Sequence, residues 1–284
     1  MGTLYKLSGA GNDFIVLDGR SGGVDEYRKE VTIRTLCDRN TGFKAADGRV
    51  GADGVMILSS SDDGAWDFVM EYFNSDGSSG MMCGNGGRCI VAFADFLGIV
   101  PANGKFYEFL AADGPHTGEI LGRDGHSCTV KLKMKDVSEY RRCTDGWFLD
   151  TGTRHFVKFV DDVEAVDIAT EGPRYRWSEE FAPIGANVNF VQVLPDGSLK
   201  VRTFEKGVED ETLACGTGIT ASALAAQLEA WHKDAGTDTP ASSGTTAKSI
   251  HTAVHARIDE LAVDFTPSGS IFTDVFLTGP AALI

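Results

Sequence analysis

A chain of 284 residues, 42% hydrophobic and 24% charged, has enough apolar side chains to fill one large core or two of ordinary size. Its net charge of −15 argues against nucleic acid or an anionic membrane as the main partner, because both are held by basic patches, and says little about a small-molecule substrate, since one local cation can sit in an acidic protein. The first residues show no basic region followed by an apolar core, and no apolar run approaches the roughly 18 residues of a membrane span, so residence in the cytoplasm is expected.

In chain order, "SGAGNDFIVLDG" (8–19) is a glycine turn feeding a strand over Phe14–Leu17. "GADGVMIL" (51–58) does the same, and "DFVMEYFN" (67–74) alternates like a further strand. In "CIVAFADFLG" (89–98) the residues Ile90, Val91, Phe93, Ala94 and Leu97 share one broad helical face, closed by Gly98 and Pro101. The second half repeats this order. "TGTRHFVKFV" (151–160) answers "AGNDFIVLD", "IGANVNFVQV" (184–193) answers "VGADGVMIL", and "KVRTFEKGVEDETLACGTGITASALAAQLEA" (200–230) answers "VMEYFNSDGSSGMMCGNGGRCIVAFADF" (69–96). Phe73 precedes Cys83 by ten residues and Phe204 precedes Cys215 by eleven. Three matched blocks in one order predict two β-rich domains of similar fold, each with a strand–loop–Cys-Gly-x-Gly–helix unit. Outside the repeat, "HKDAGTDTPASSGTTAKS" (232–249) has the composition of an exposed loop, and "GSIFTDVFLTGPAAL" (269–283) alternates as a late strand.

The six cysteines (37, 83, 89, 128, 143 and 215) are expected to be free thiols, since a cytosolic chain of this size needs no disulfide framework. For Cys37, Cys89, Cys128 and Cys143 the expected role is packing, cysteine being a small apolar residue. Cys83 and Cys215 differ, because each begins a Gly-polar-Gly turn ahead of a helix in duplicated surroundings. A thiol there meets unsatisfied N–H groups and the positive end of the helix dipole, which favour thiolate. The glycines let backbone amides approach an anion such as a carboxylate. Were the two domains to face each other, one thiolate could remove an α-proton while the other thiol returned a proton on the opposite face. The amides would meanwhile stabilise the carbanionic transition state. Such chemistry needs neither pyridoxal phosphate nor a metal. Zinc ligation does not suit the Cys83–Cys89 interval or the absence of any Cys-x2-Cys pair. His251 and His255 are expected on a strand surface. "GAGNDF" lacks the third glycine of the dinucleotide fingerprint, and no P-loop occurs.

These blocks resemble the diaminopimelate epimerase family through "SGAGNDFIVLD", "FNSDGSSGMMCGNGGRC", "GANVNFVQV" and "FEKGVEDETLACGTG". The resemblance implies two pseudo-symmetric α/β domains, each a β-sheet wrapped around a central helix, with boundaries expected at 1–130 plus 271–284 and at 131–270. It also implies a homodimer that works without cofactor and interconverts LL- and meso-diaminopimelate. Cys83 and Cys215 would be the acid/base pair, and Gly84, Asn85, Gly216 and Thr217 would hold the reacting carboxylate. Asn12 would bind substrate, Asn74 and Asn187 would bind its distal end, and Glu205 and His155 would touch the substrate region and tune the cysteines. The late strand "IFTDVFL" (271–277) would find its partner in the first domain. Three positions depart from the family: Lys206 stands for an arginine that clamps the distal carboxylate, Thr153 for an asparagine, and Gly54 for a glutamine of some members. Lysine keeps the charge of arginine but loses its planar two-point contact. The alternatives are a racemase of the same fold acting on another amino or imino acid, such as a proline derivative, or a thiol redox or ligand-binding protein.

Overall fold

In the computed structural model, residues 2–235 and 248–284 are described. The chain divides into two compact units, Met1–Leu132 with Gly279–Ile284, and Lys133–Thr278.

The first unit contains β1 (Leu4–Gly9), β2 (Asn12–Asp18), α1 (Glu30–Cys37), β3 (Gly54–Ser59), β4 (Phe68–Asn74), α2 (Gly84–Phe96), β5 (Tyr107–Ala111), β6 (Gly114–Asp124) and β7 (Ser127–Lys133). Ala10 and Gly11 both take positive φ (49° and 95°), giving the tight two-residue hairpin whose twist suits the antiparallel β1–β2 pair. Strands β2 and β3 run parallel across the α1 connection, and β4 and β5 run parallel across α2. Residues 84–94 of α2 are buried on every face, and the helix packs against β1, β2, β3 and β6. Its first turn has to be glycine-rich: a Cβ on Gly87 would stand 2.7 Å from Leu132. Ile90, Val91 and Phe93 have no measurable exposure, and each such side chain contributes roughly 1.5–3 kcal/mol by leaving water. The helix stops at Gly98 (φ 73°), where Gly98 N–H donates to the Asp95 carbonyl and Ile99 N–H to the Ala94 carbonyl.

The second unit repeats the plan with β8 (Tyr140–Cys143), β9 (Gly146–Asp150), β10 (Arg154–Phe159), α3 (Ile168–Arg176), β11 (Asn187–Val193), β12 (Leu199–Glu205), β13 (Asp210–Thr212), α4 (Gly216–Ala235), β14 (Ile250–His255), β15 (Glu260–Ser268) and β16 (Ile271–Leu283). Here β10 and β11 are parallel across α3, β12 and β14 are parallel across α4, and α4 packs against β9–β12, β14 and β15. Both units are therefore α/β, each with its sheet wrapped around a central helix, as the resemblance implies.

Two expectations change. Residues 232–235 complete α4 instead of opening a loop, with Lys233 four residues beyond its ion-pair partner Glu229. The remainder of the expected loop, 236–247, lies outside the described residues. Residues 271–278 do not pair with the first unit. They form a hairpin with β15, and only 279–283 join β7 and β1, where Gly279 pairs with Val130 and Leu283 with Leu7. β16 thus closes the ring of strands around α2. Among the described residues no helix is long and apolar enough to cross a membrane.

Candidate active site

Cys83 occupies the N-cap of α2 with extended backbone (φ −109°, ψ 156°), and its Sγ accepts the Gly86 N–H at 3.2 Å. Sulfur here takes the place usually held by a Ser, Thr or Asp oxygen, and a thiolate accepts such a bond better than a thiol. Its carbonyl accepts from Gly87 N–H at 2.7 Å. Cys215 repeats the arrangement before α4, its carbonyl accepting from Ile219 N–H at 2.8 Å. Its Sγ lies 3.4 Å from the Thr217 hydroxyl. Both thiols are partly exposed. The other four are held as thiols: burial pushes Cys37 up to about 11 and Cys89 and Cys143 up to about 12, and raises Cys128. None of the six cysteines is joined in a disulfide.

Behind Cys83 runs a polar chain with a single direction. The fully buried Arg88 donates to the Gly84 carbonyl (3.1 Å) and to Asn85 Oδ1 (2.9 Å). Asn85 Nδ2 donates to Asn12 Oδ1 (2.7 Å), and Asn12 Nδ2 donates to Asp53 Oδ2 (2.8 Å). A cation at one end and a carboxylate at the other fix both amide orientations, since guanidinium only donates and carboxylate only accepts. Arg39 bridges Asp53 to Asp13, and Asp13 also pairs with Lys6 at 2.6 Å, both members of that pair being buried. Burial raises the Asp13 carboxyl, but hydrogen bonds from Arg39 and Lys6 outweigh it and hold the group below the ordinary carboxylate range.

The second unit builds its counterpart from neutral groups. His155 opens β10 with no exposed surface, its Nε2 2.9 Å from both Thr153 Oγ1 and Thr217 Oγ1 and its Nδ1 3.0 Å from Asn189 Nδ2. Burial pushes its pKa down to about 3, with Lys206 adding to the effect and Asp150 opposing it. The ring is therefore neutral at physiological pH. An unfolded histidine takes a proton below about 6.5, whereas this one refuses it until about 3, so stability is lost as pH falls between those values. Urea titration at pH 7 and pH 5 should show wild type losing about 2 kcal/mol more than His155→Gln over that interval.

The remaining expected residues have definite places. Asn187 is buried at the start of β11. Its Oδ1 accepts from Lys206 N–H (2.8 Å), and its Nδ2 donates to the Arg154 carbonyl (3.0 Å). Asn74 ends β4 and donates to Ser78 Oγ (3.0 Å). Glu205 ends β12, half-buried, immediately before Lys206. Gly84 and Gly216 are buried in the first turns of their helices, and the Thr217 carbonyl accepts from Thr151 Oγ1 at 3.0 Å. The departures are built into their surroundings. A side chain at Gly54 would place its Cβ 2.6 Å from the Tyr72 ring, so that ring fills the space, while Thr153 is bonded to His155 and Thr217. His251 and His255 sit on β14 opposite Asp264 and Glu260, with ring nitrogens 2.8 and 3.3 Å from their carboxylates.

Asp13, Arg39, Asp53, Arg88, Asn189 and Thr203 were not among the expected site residues. The repeat contained a signal for two of them. Phe14 pairs with Gly54 in β2–β3 as Phe156 pairs with Val188 in β10–β11, so Asp13 and Asp53, one residue earlier, occupy the places that His155 and Asn187 hold in the second unit.

A protein from Flavobacterium psychrophilum named diaminopimelate epimerase is 39% identical over 99% of this chain and 97% of its own length. One of the same name from Chlorobaculum tepidum is 44% identical over 77% of this chain and 80% of its own. The fold is shared with solved structures of low identity. One is a phenazine biosynthesis protein of the PhzF family from Bacillus anthracis (TM-score 0.67, 11% identical, 99% of this chain and 96% of that one). Another is a hydroxyproline epimerase from Agrobacterium vitis (TM-score 0.62, 15% identical, 99% and 88%). Fold, paired thiols and relatives together define an isomerase, a two-cysteine epimerase that acts on an amino-acid substrate. The family profile described as diaminopimelate epimerase matches residues 4–125 and 147–265. The chain belongs to the diaminopimelate epimerase family.

Proposed function

We propose that this enzyme interconverts LL- and meso-2,6-diaminopimelate in lysine and peptidoglycan-precursor synthesis. The observation that carries this is the duplicated half-site: Cys83 and Cys215 each precede a buried glycine at the head of a central helix. One cysteine as thiolate removes the α-proton and the other as thiol returns a proton to the opposite face. Amides of the first turns at Gly84, Asn85, Gly216 and Thr217 hold the reacting carboxylate and stabilise the charge that grows on it. Asn12, Asn74, Asn187, Glu205 and Lys206 bind the remainder of the substrate. The enzyme is proposed as a cytoplasmic homodimer, and six cysteines outside any disulfide suit a reducing compartment.

A second substrate class, amino or imino acids lacking the distal carboxylate, is favoured by the distal end alone. There Lys206 replaces a two-point arginine, and Tyr72 fills the space beside Gly54. Incubation in D2O with no added cofactor decides between them. LL-diaminopimelate should acquire deuterium at one α-carbon as the meso form appears, followed by mass spectrometry and chiral chromatography. Exchange with proline or 4-hydroxyproline and none with diaminopimelate would transfer the assignment to the second class.

A further inference from the structure

The partners of His155 decide which ring nitrogen holds its proton. The Phe156 carbonyl can only accept, and it lies 3.3 Å from Asn189 Nδ2, while Asn189 Oδ1 accepts from Thr203 Oγ1 at 2.9 Å. The Asn189 amide is thereby fixed with its NH2 group towards His155, 3.0 Å from Nδ1. Nδ1 must then accept, and the single proton of the neutral ring resides on Nε2. Space is kept for this amide: a Cβ on Gly218, in the first turn of α4, would stand 2.3 Å from Asn189 Oδ1.

From Nε2 the donors all run one way. Thr153 Oγ1 and Thr217 Oγ1 each lie 2.9 Å from Nε2 and 3.3 Å from one another, and Asn187 Nδ2 approaches Thr153 Oγ1 at 3.4 Å. With N–H donors on both oxygens, the Thr153 proton is directed to Thr217 and the Thr217 proton to Cys215 Sγ, 3.4 Å away.

We propose that Asn189 is a positioning residue for Cys215: it fixes His155 as a neutral Nε2–H donor, so that the Thr217 hydroxyl donates to the sulfur and favours thiolate. His155 then has no lone pair on the side facing Thr217 and cannot take the Cys215 proton through it. In the proposed epimerase, on which only the catalytic meaning of this relay rests, Cys215 exchanges its proton with substrate and solvent and not with the imidazole. No bond other than a hydrogen bond is made or broken in the relay. The charged groups whose fields reach His155 are Asp150 and Lys206.

The test uses the full chain labelled with 15N-histidine, with His155 assigned through His155→Gln. At pH 7 a long-range proton–nitrogen correlation should show Nε2 protonated and Nδ1 bare. A wild-type spectrum with Nδ1–H or imidazolium overturns the proposal without any further variant. In Asn189→Leu the Nδ1–H form should become populated. Alkylation of Cys215 by iodoacetamide, followed on its own peptide in a Cys83→Ala background, should slow about fivefold as thiolate is lost. Thr203→Val leaves the amide held by the Phe156 carbonyl and should keep both readouts within about twofold of wild type, because only a donor to Oδ1 is removed. Unchanged tautomer and alkylation in Asn189→Leu would also overturn it. Neither measurement requires substrate, so a failure of the epimerase assignment would appear separately, as absence of α-proton exchange in the wild type.

Discussion

Cys83→Ala and Cys215→Ala should each lower turnover of diaminopimelate by about 10³–10⁴-fold, near the upper range for loss of a positioned acid or base. Inversion needs a base on one face of the carbon and an acid on the other, so one thiol cannot supply both. A single variant should still exchange the α-proton of the stereoisomer that its remaining cysteine faces, without inverting it, because a thiol equilibrates its proton with solvent. Deuterium incorporation read on separated LL and meso forms tests this directly. The two variants should show opposite isomer preferences for exchange, and the double variant should show none. Inversion at more than about a tenth of the wild-type rate in either single variant would contradict a two-base mechanism.

The second large effect is on stability. Asp13→Asn should destabilise the chain by about 3–5 kcal/mol at pH 7, because it leaves Lys6 charged, buried and without its carboxylate. The contact is 2.6 Å long, Lys6 has no exposed side-chain surface and Asp13 very little, so neither charge can turn to water for compensation. Lys6 also donates to the Gly51 carbonyl at 2.6 Å, which satisfies a hydrogen but leaves the charge unneutralised. Adding Lys6→Met to Asp13→Asn should recover part of the loss, since removing both ions relieves the desolvation penalty that removing one exposes. Urea denaturation of the wild type and the two variants measures both numbers. A cost below about 1 kcal/mol for Asp13→Asn would show that the Arg49 and Gly51 carbonyls suffice to hold the buried ammonium.

Strands β2, β3 and β4 and the two central helices were legible because their pattern occurs twice. A strand–turn–helix block repeated around Cys83 and Cys215 carries information that neither copy has alone. The two cysteines emerged for the same reason, and the structure finds each at the head of a helix buried within its own unit. The charge network behind Cys83 was illegible. Lys6, Asp13, Arg39 and Asp53 are brought together by the β1–β2 hairpin and the parallel register of β2 with β3, across separations of up to 47 residues that no local pattern encodes. Asn189 was missed because, among the alternating residues of "NVNFVQV", a polar side chain reads as facing solvent. It faces inward instead, and its burial is tolerated because His155, Phe156 and Thr203 satisfy its amide. The end of α4 was misread from composition, since His232, Lys233 and Asp234 resemble a loop until the Glu229–Lys233 pair is seen.

β16 has a consequence for how the chain is made. The strands around α2 close only when residues 279–283 enter between β7 and β1, and those residues follow the whole of the second unit. A ribosome therefore delivers β1 through β7 long before the strand that completes their ring. During that interval β1 and β7 each present an open edge, the type of surface on which nascent chains associate wrongly. At about 5–20 residues per second, the roughly 150 residues between β7 and the end of β16 leave those edges uncovered for several seconds to half a minute. The first unit to be synthesised is accordingly the last to be finished.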